Sequence, residues 1–120
     1  MSHSANIVSI HPYFKVKPGK LAEARDLLPR MAAQTAGEKL VLQYDFTLNG
    51  DEIFCRESYI GAEGLLVHSE NIRPLLLELL KIADIIRVEV HGPALELAKL
   101  KDPLAGLNPA WFVYECGVMR

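Results

Sequence analysis

The chain has 120 residues, half of them hydrophobic, and a formal net charge of −2; this suits one domain with one core and offers no basic footprint for nucleic acid. The longest strongly apolar run, Leu75 to Ile86, is broken by Glu78, Lys81 and Asp84, and the N-terminus lacks an apolar leader core, so neither a membrane span nor a signal peptide is expected and the protein reads as cytoplasmic. Cys55 and Cys116 have no CxxC spacing and no second ligand pair, so they read as free thiols, and no metal is expected.

Residues Asn6 to Val16 alternate, with Ile10, Pro12, Phe14 and Val16 opposite Ser9, His11, Tyr13 and Lys15, which predicts a first strand. Pro12 cannot donate to a ladder, so a bulge is expected there. Pro18-Gly19 turns the chain. Leu21, Ala24, Leu28, Met31 and Thr35 then recur at helical spacing up to Gly37, with Pro29 expected to kink or split the helix.

Asn49-Gly50 lies between two alternating runs spanning Leu40 to Ile60 and signals a hairpin with a two-residue type I′ turn. That turn pairs Leu48 with Asp51, Phe46 with Ile53, Tyr44 with Cys55, Leu42 with Glu57 and Leu40 with Tyr59, all on one largely apolar face. Val41, Gln43, Asp45 and Thr47 share the other face with Glu52, Phe54, Arg56 and Ser58.

Gly61 to Asn71 reads as a short helix carrying Ala62, Leu65, Leu66, Ser69 and Ile72. Pro74 reads as the first residue of another segment, with Leu76, Leu79, Leu80 and Ala83. Asp84 to Gly92 alternates again, Ile86, Val88 and Val90 opposite Arg87, Glu89 and His91. Pro93 opens a short helix through Leu100, and Trp111 to Cys116 is aromatic and β-branched enough for a fifth strand.

The order β, α, β, β, α, β predicts the α+β class, a ferredoxin-like split βαβ with an antiparallel sheet and an extra C-terminal helix and strand. One domain covers 1–120, with a core of about 6–92 and an extension over 93–120. Helices cover the apolar face. His11, Tyr13, Gln43, Asp45, Arg56, Arg87, Glu89 and His91 make the other face, which either stays solvated or packs against a second copy. A homodimer is expected, because the Tyr, His and balanced charges can satisfy one another when buried.

The run His11-Pro12-Tyr13-Phe14-Lys15-Val16-Lys17-Pro18-Gly19-Lys20, then Tyr44-Asp45-Phe46, Glu57-Ser58-Tyr59 and the helix residue His68, resembles the antibiotic biosynthesis monooxygenase-like family of dimeric α+β barrels, which includes quinol monooxygenases. The resemblance runs from about Ile10 to Ile86. It implies sheets that meet across a dimer to form a barrel, and a pocket between the other sheet face and the helices. It also implies a cofactor-independent monooxygenase that brings a small aromatic or quinol substrate together with dioxygen. Where family enzymes have a Glu-x-Trp step, this chain has Glu57-Ser58-Tyr59, and no Trp stands near that position, which argues against haem degradation.

Glu57 and His68 are the candidate catalytic residues. The register buries Glu57 on the apolar face, where its pKa rises towards that of a general acid or base; the competing reading is a strand-end Glu that reaches water. His68 borders its helix's apolar stripe, where an imidazole can deprotonate a phenolic or quinol substrate; the competing reading is a satisfied helix histidine. Tyr44 and Tyr59 are candidates for orienting a planar ligand, or are simply core. Cys55 projects into the same pocket as a small lining residue, without the cationic neighbour a nucleophile needs. His11 with Asp45, and His91 with Glu89, are weaker candidates for a relay or metal site. His3 is expected to be uninformative. Two other classes stand beside the oxygenase: a non-catalytic ligand-binding or stress-associated module, and an isomerase or decarboxylase that consumes no oxygen.

Overall fold

The computed structural model describes residues 6–120, so His3 lies outside the described residues. In chain order the elements are β1 (Ile7–Val16), α1 (Leu21–Thr35), β2 (Val41–Asn49), β3 (Glu52–Ile60), α2 (Gly61–Leu80), β4 (Ala83–Gly92), α3 (Ala94–Ala98), a 3₁₀ turn (Ala105–Leu107) and β5 (Ala110–Val113). They build one sheet in the order β2-β3-β1-β4-β5. The first four strands are antiparallel, the ferredoxin-like plan. β5 adds to β4 in parallel, so the sheet is mixed rather than wholly antiparallel. It ends at Val113, short of the expected Cys116.

Alternation on β1 buries Val8, Ile10, Pro12, Phe14 and Val16, and α1 and α2 cover that face. Pairing of β1 with β3 lapses over His11 and Pro12, as a residue without an N–H requires. The bulge itself falls one residue on and on the neighbouring strand. Tyr13 faces Arg87 and Phe14 faces Ile85, so Ile86 is squeezed out to 54 % exposure and Ile85 turns inward in its place.

The hairpin forms, but its pairing is displaced by two residues. Leu48 faces Ile53, Phe46 faces Cys55 and Tyr44 faces Glu57, because the turn residues are Gly50 and Asp51. Gly50 has φ 59° and Asp51 does not share the positive region, which fits a II′ turn with glycine first rather than I′. The displacement has a tertiary cause: Lys15 Nζ donates to Asp51 Oδ1 at 2.7 Å and the Asp51 carbonyl accepts from Val16 N–H at 2.8 Å, pinning the turn to the end of β1. A shift of two preserves parity, so Tyr44, Phe46, Leu48, Ile53, Cys55 and Glu57 keep a common face. The parity fails only at Leu42, which bulges outward while Val41 pairs with Tyr59 and packs against the core.

Neither interior proline splits a helix. α1 runs through Pro29, and α2 is one twenty-residue helix through Pro74. On α2 the inward residues Leu65, His68, Ile72 and Leu79 stay in phase across Pro74. Burying side chains such as Ile72 and Leu79 at roughly 1.5–3 kcal/mol each offsets the ~3 kcal/mol cost of an interior proline. At the start of α2, Glu96 Oε1 from α3 accepts the Ala62 N–H at 2.9 Å, tying the C-terminal extension to the helix that carries His68.

On the outer face the charges pair within the chain, Arg56 with Asp45 at 3.3 Å and Arg87 with Glu89 at 2.6 Å. Aromatic rings connect the strands: His11 stacks on Phe54, meets His91 edge-on at 4.9 Å, and His91 stacks on Phe112. His11 bonds Ser9 rather than Asp45, while His91 lies 3.4 Å from Glu89. Among the described residues no three His, Cys, Asp or Glu side chains converge as a metal-holding group, and no helix is long and apolar enough to cross a membrane.

Candidate active site

The core is divided. One cluster gathers around Val8, Ile10, Tyr59, Leu65 and Val90, the other around Phe14, Leu28, Met31, Ile53 and Ile72. Between them lies a cavity of about 100 Å³, with walls from both clusters, Tyr44 and Phe46 of β2, and Leu104 and Leu107 of the extension. At ~10–15 Å³ per water-sized group it has room for about eight non-hydrogen atoms.

A carboxyl and an imidazole break this apolar wall, Glu57 from β3 and His68 from α2, both buried. Alternation along β3 aims Cys55 and Glu57 at the helices, and the in-phase stripe of α2 aims His68 back at the sheet. Glu57 Oε1 lies 3.4 Å from His68 Nε2 and accepts a 2.6 Å hydrogen bond from the Tyr59 hydroxyl. The opposite ring nitrogen of His68, Nδ1, lies 2.9 Å from Glu38 Oε2. The Tyr44 and Tyr59 rings flank the imidazole at centroid distances of 4.8 and 5.1 Å.

Burial dominates the electrostatics. It pushes Glu57 up from its ordinary 4.5 to about 7, against hydrogen bonds from Tyr59 and Cys55 and with a further push from the Glu38 charge. It holds His68 below the ordinary histidine value, against the hydrogen bond and charge of Glu38. Burial, together with neighbours including Glu57, lifts Tyr44, Cys55 and Tyr59 well above their usual ranges, so none of them ionises in the neutral range. Near neutrality a carboxyl that is still partly protonated and a largely uncharged imidazole therefore face one cavity, one able to give a proton and one to accept it.

All five sequence candidates converge on this region, in two layers. Glu57, His68, Tyr44 and Cys55 line the cavity; Tyr59 is fully buried, stands behind Glu57 and is not part of the lining. Glu38 was missed. It follows Gly37 in a connection without periodicity, thirty residues from its partner. A signal was available on α2, where His68 and Asn71 put two polar groups three residues apart beside an inward apolar stripe. The roof residues Leu104 and Leu107 carried no signal, since the extension could have packed anywhere.

No protein-family model and no curated protein matches the chain. Among solved structures, MupZ from Pseudomonas fluorescens is 37 % identical, with a TM-score of 0.92 over 97 % of this chain and 91 % of that one. A Caulobacter crescentus CB15 protein, described as a candidate antibiotic biosynthesis monooxygenase, is 19 % identical with a TM-score of 0.64 over 72 % of this chain and 89 % of its own. A Bacteroides thetaiotaomicron VPI-5482 protein of unknown function, described as a possible oxidoreductase, is 15 % identical with a TM-score of 0.65 over 72 % and 96 %. The last two share the fold; MupZ matches nearly the whole chain, extension included. The chain belongs to one family with MupZ, and its fold is that of proteins described as antibiotic biosynthesis monooxygenases.

Proposed function

We propose that the chain is an acid–base enzyme in which His68 and Glu57 move a proton on and off a small, largely apolar substrate, with a cofactor-independent monooxygenation as the overall reaction. The observation that carries this reading is the 3.4 Å approach of His68 Nε2 to Glu57 Oε1 at the wall of an apolar cavity. His68 Nε2 accepts a proton from an acidic C–H or O–H of a quinol-like substrate. The resulting anion reduces dioxygen, one oxygen atom enters the substrate as a carbonyl, and the other leaves as water. Glu57 supplies the proton that the reduced oxygen needs, and the dry wall holds the reacting pair together. Tyr44 and Cys55 shape the cavity without ionising. Homodimerisation through the outer sheet face belongs to the same proposal.

A second reading is favoured by Glu57 itself. A carboxyl that is still partly protonated near neutrality, beside a largely uncharged imidazole, is equally suited to a redox-neutral conversion in which one group donates as the other accepts.

Dioxygen uptake by metal-stripped protein against a panel of single-ring quinols and catechols, each corrected for autoxidation, separates the readings. Uptake above background that falls at least tenfold in His68→Ala supports the oxygenase. Substrate loss without uptake supports the redox-neutral reaction. Neither, with the protein folded, leaves a ligand-binding module.

A further inference from the structure

Glu38 lies outside the cavity but against His68, and it is held there by a side-chain clamp. Asn71 Nδ2 lies 3.0 Å from the Gln34 carbonyl, an oxygen that can only accept, so the amide orientation of Asn71 is settled. Gln34 Nε2 completes the clamp by donating to Asn71 Oδ1 at 2.7 Å. The same Asn71 nitrogen donates to Glu38 Oε2 at 2.8 Å, and that oxygen also meets His68 Nδ1 at 2.9 Å. The Glu38 side chain is 5 % exposed, and its second oxygen, Oε1, is buried with no hydrogen-bond partner among the described residues.

We propose that Glu38 is the positioning residue of the site: held by Asn71, its carboxylate takes the Nδ1–H of His68 and so leaves Nε2 as the free base that faces Glu57 and the cavity. This deepens the acid–base reading of the same site. An oxygen that already accepts from Asn71 completes its coordination by accepting from a second N–H, and a ring whose Nδ1 carries the proton has its lone pair on Nε2. The carboxylate fixes the tautomer, the ring plane and the basicity together. The other groups around the imidazole are Glu57, Cys55 and Tyr59 from β3 and Tyr44 from β2; none of these is placed to hold Nδ1.

The test is nitrogen-15 NMR of the imidazoles in the full chain between pH 5 and 9, with His68 assigned by its loss in His68→Gln. The expected wild-type spectrum shows a protonated Nδ1 and a pyridine-like Nε2 for His68 at neutral pH. Glu38→Gln keeps an accepting oxygen but loses the charge, so the tautomer persists while the His68 titration moves to lower pH. Glu38→Ala loses the tautomer preference as well. A wild-type ring protonated on Nε2, or a Glu38→Gln titration that does not move, overturns the assignment. The isosteric Gln variant decides the question if the Ala variant does not fold. Because no substrate is involved, this outcome is independent of whether any panel compound is turned over.

Discussion

Tyr59 donates its hydroxyl proton to Glu57 Oε1 over 2.6 Å, two residues along β3 on the same face, with the phenol fully buried behind the carboxyl. This bond supports the ionised form of Glu57 against the desolvation that opposes it. Removing it in Tyr59→Phe raises the Glu57 pKa further. It also costs stability of roughly 1.5–3 kcal/mol when the carboxyl is charged, the range for a hydrogen bond to an ion. Urea unfolding at pH 8 and at pH 5 checks this: the penalty is larger at pH 8, and equal penalties would show that Tyr59 does not act through the ionised carboxyl.

The raised Glu57 pKa has a definite sign in stability. Between 4.5, the unfolded value, and about 7, the folded value, the native state binds more protons than the unfolded chain. This contribution is therefore complete at low pH and is lost as pH rises through about 7, by roughly 3 kcal/mol. His68, held low, works the other way and favours the native state as pH rises towards 6.5. Wild type should therefore lose stability relative to Glu57→Gln on going from pH 5 to pH 8. A pH-independent difference between the two would mean that Glu57 is charged throughout.

Gly64 lets α2 approach the hairpin. A Cβ there would sit 2.9 Å from Tyr59 Cβ and 3.2 Å from the Leu40 carbonyl oxygen, neither of them the end of a flexible side chain. Gly64→Ala gains about 1 kcal/mol in helix propensity but forces overpacking that costs ~1–3 kcal/mol. The clash wins, and the melting temperature falls. A raised melting temperature would show that α2 can shift without cost.

The two thiols differ in access. Cys55 is 1 % exposed and its pKa is raised by burial and by Glu57, whereas Cys116 is exposed. A thiol reagent at pH 8 should modify Cys116 in the native protein and reach Cys55 only on unfolding. Early Cys55 labelling would reveal an open route into the cavity.

The outer face offers Phe54 ringed by His11, Tyr13 and Arg56. If this face joins two copies, sedimentation at micromolar concentration gives about twice the 13.4 kDa of one chain, and Phe54→Asp gives one. A monomeric wild type rules the interface out.

Alternation on β1, β3 and β4, the helical stripe of α1 and the Asn49-Gly50 signal placed four strands, the first helix and the face carrying Glu57 from the sequence alone. Period-two and period-3.6 patterns are local, and they survive a register error of two because parity is what aims a side chain. The break expected at Pro74 does not occur, for the opposite reason: the rule for proline is local, while the packing that overrides it joins residues far apart in the chain.

The sequence by itself determined which faces are apolar, which strands of the ferredoxin-like core pair, and that Glu57, His68, Tyr44, Cys55 and Tyr59 look towards a common interior. Only the tertiary structure decided that Gly50 and Asp51 make the turn, that Ile85 displaces Ile86, that Leu104 roofs the cavity, and that Glu38 reaches His68. These depend on distances between segments thirty or more residues apart, set when the helices dock on the sheet, and no local period encodes them.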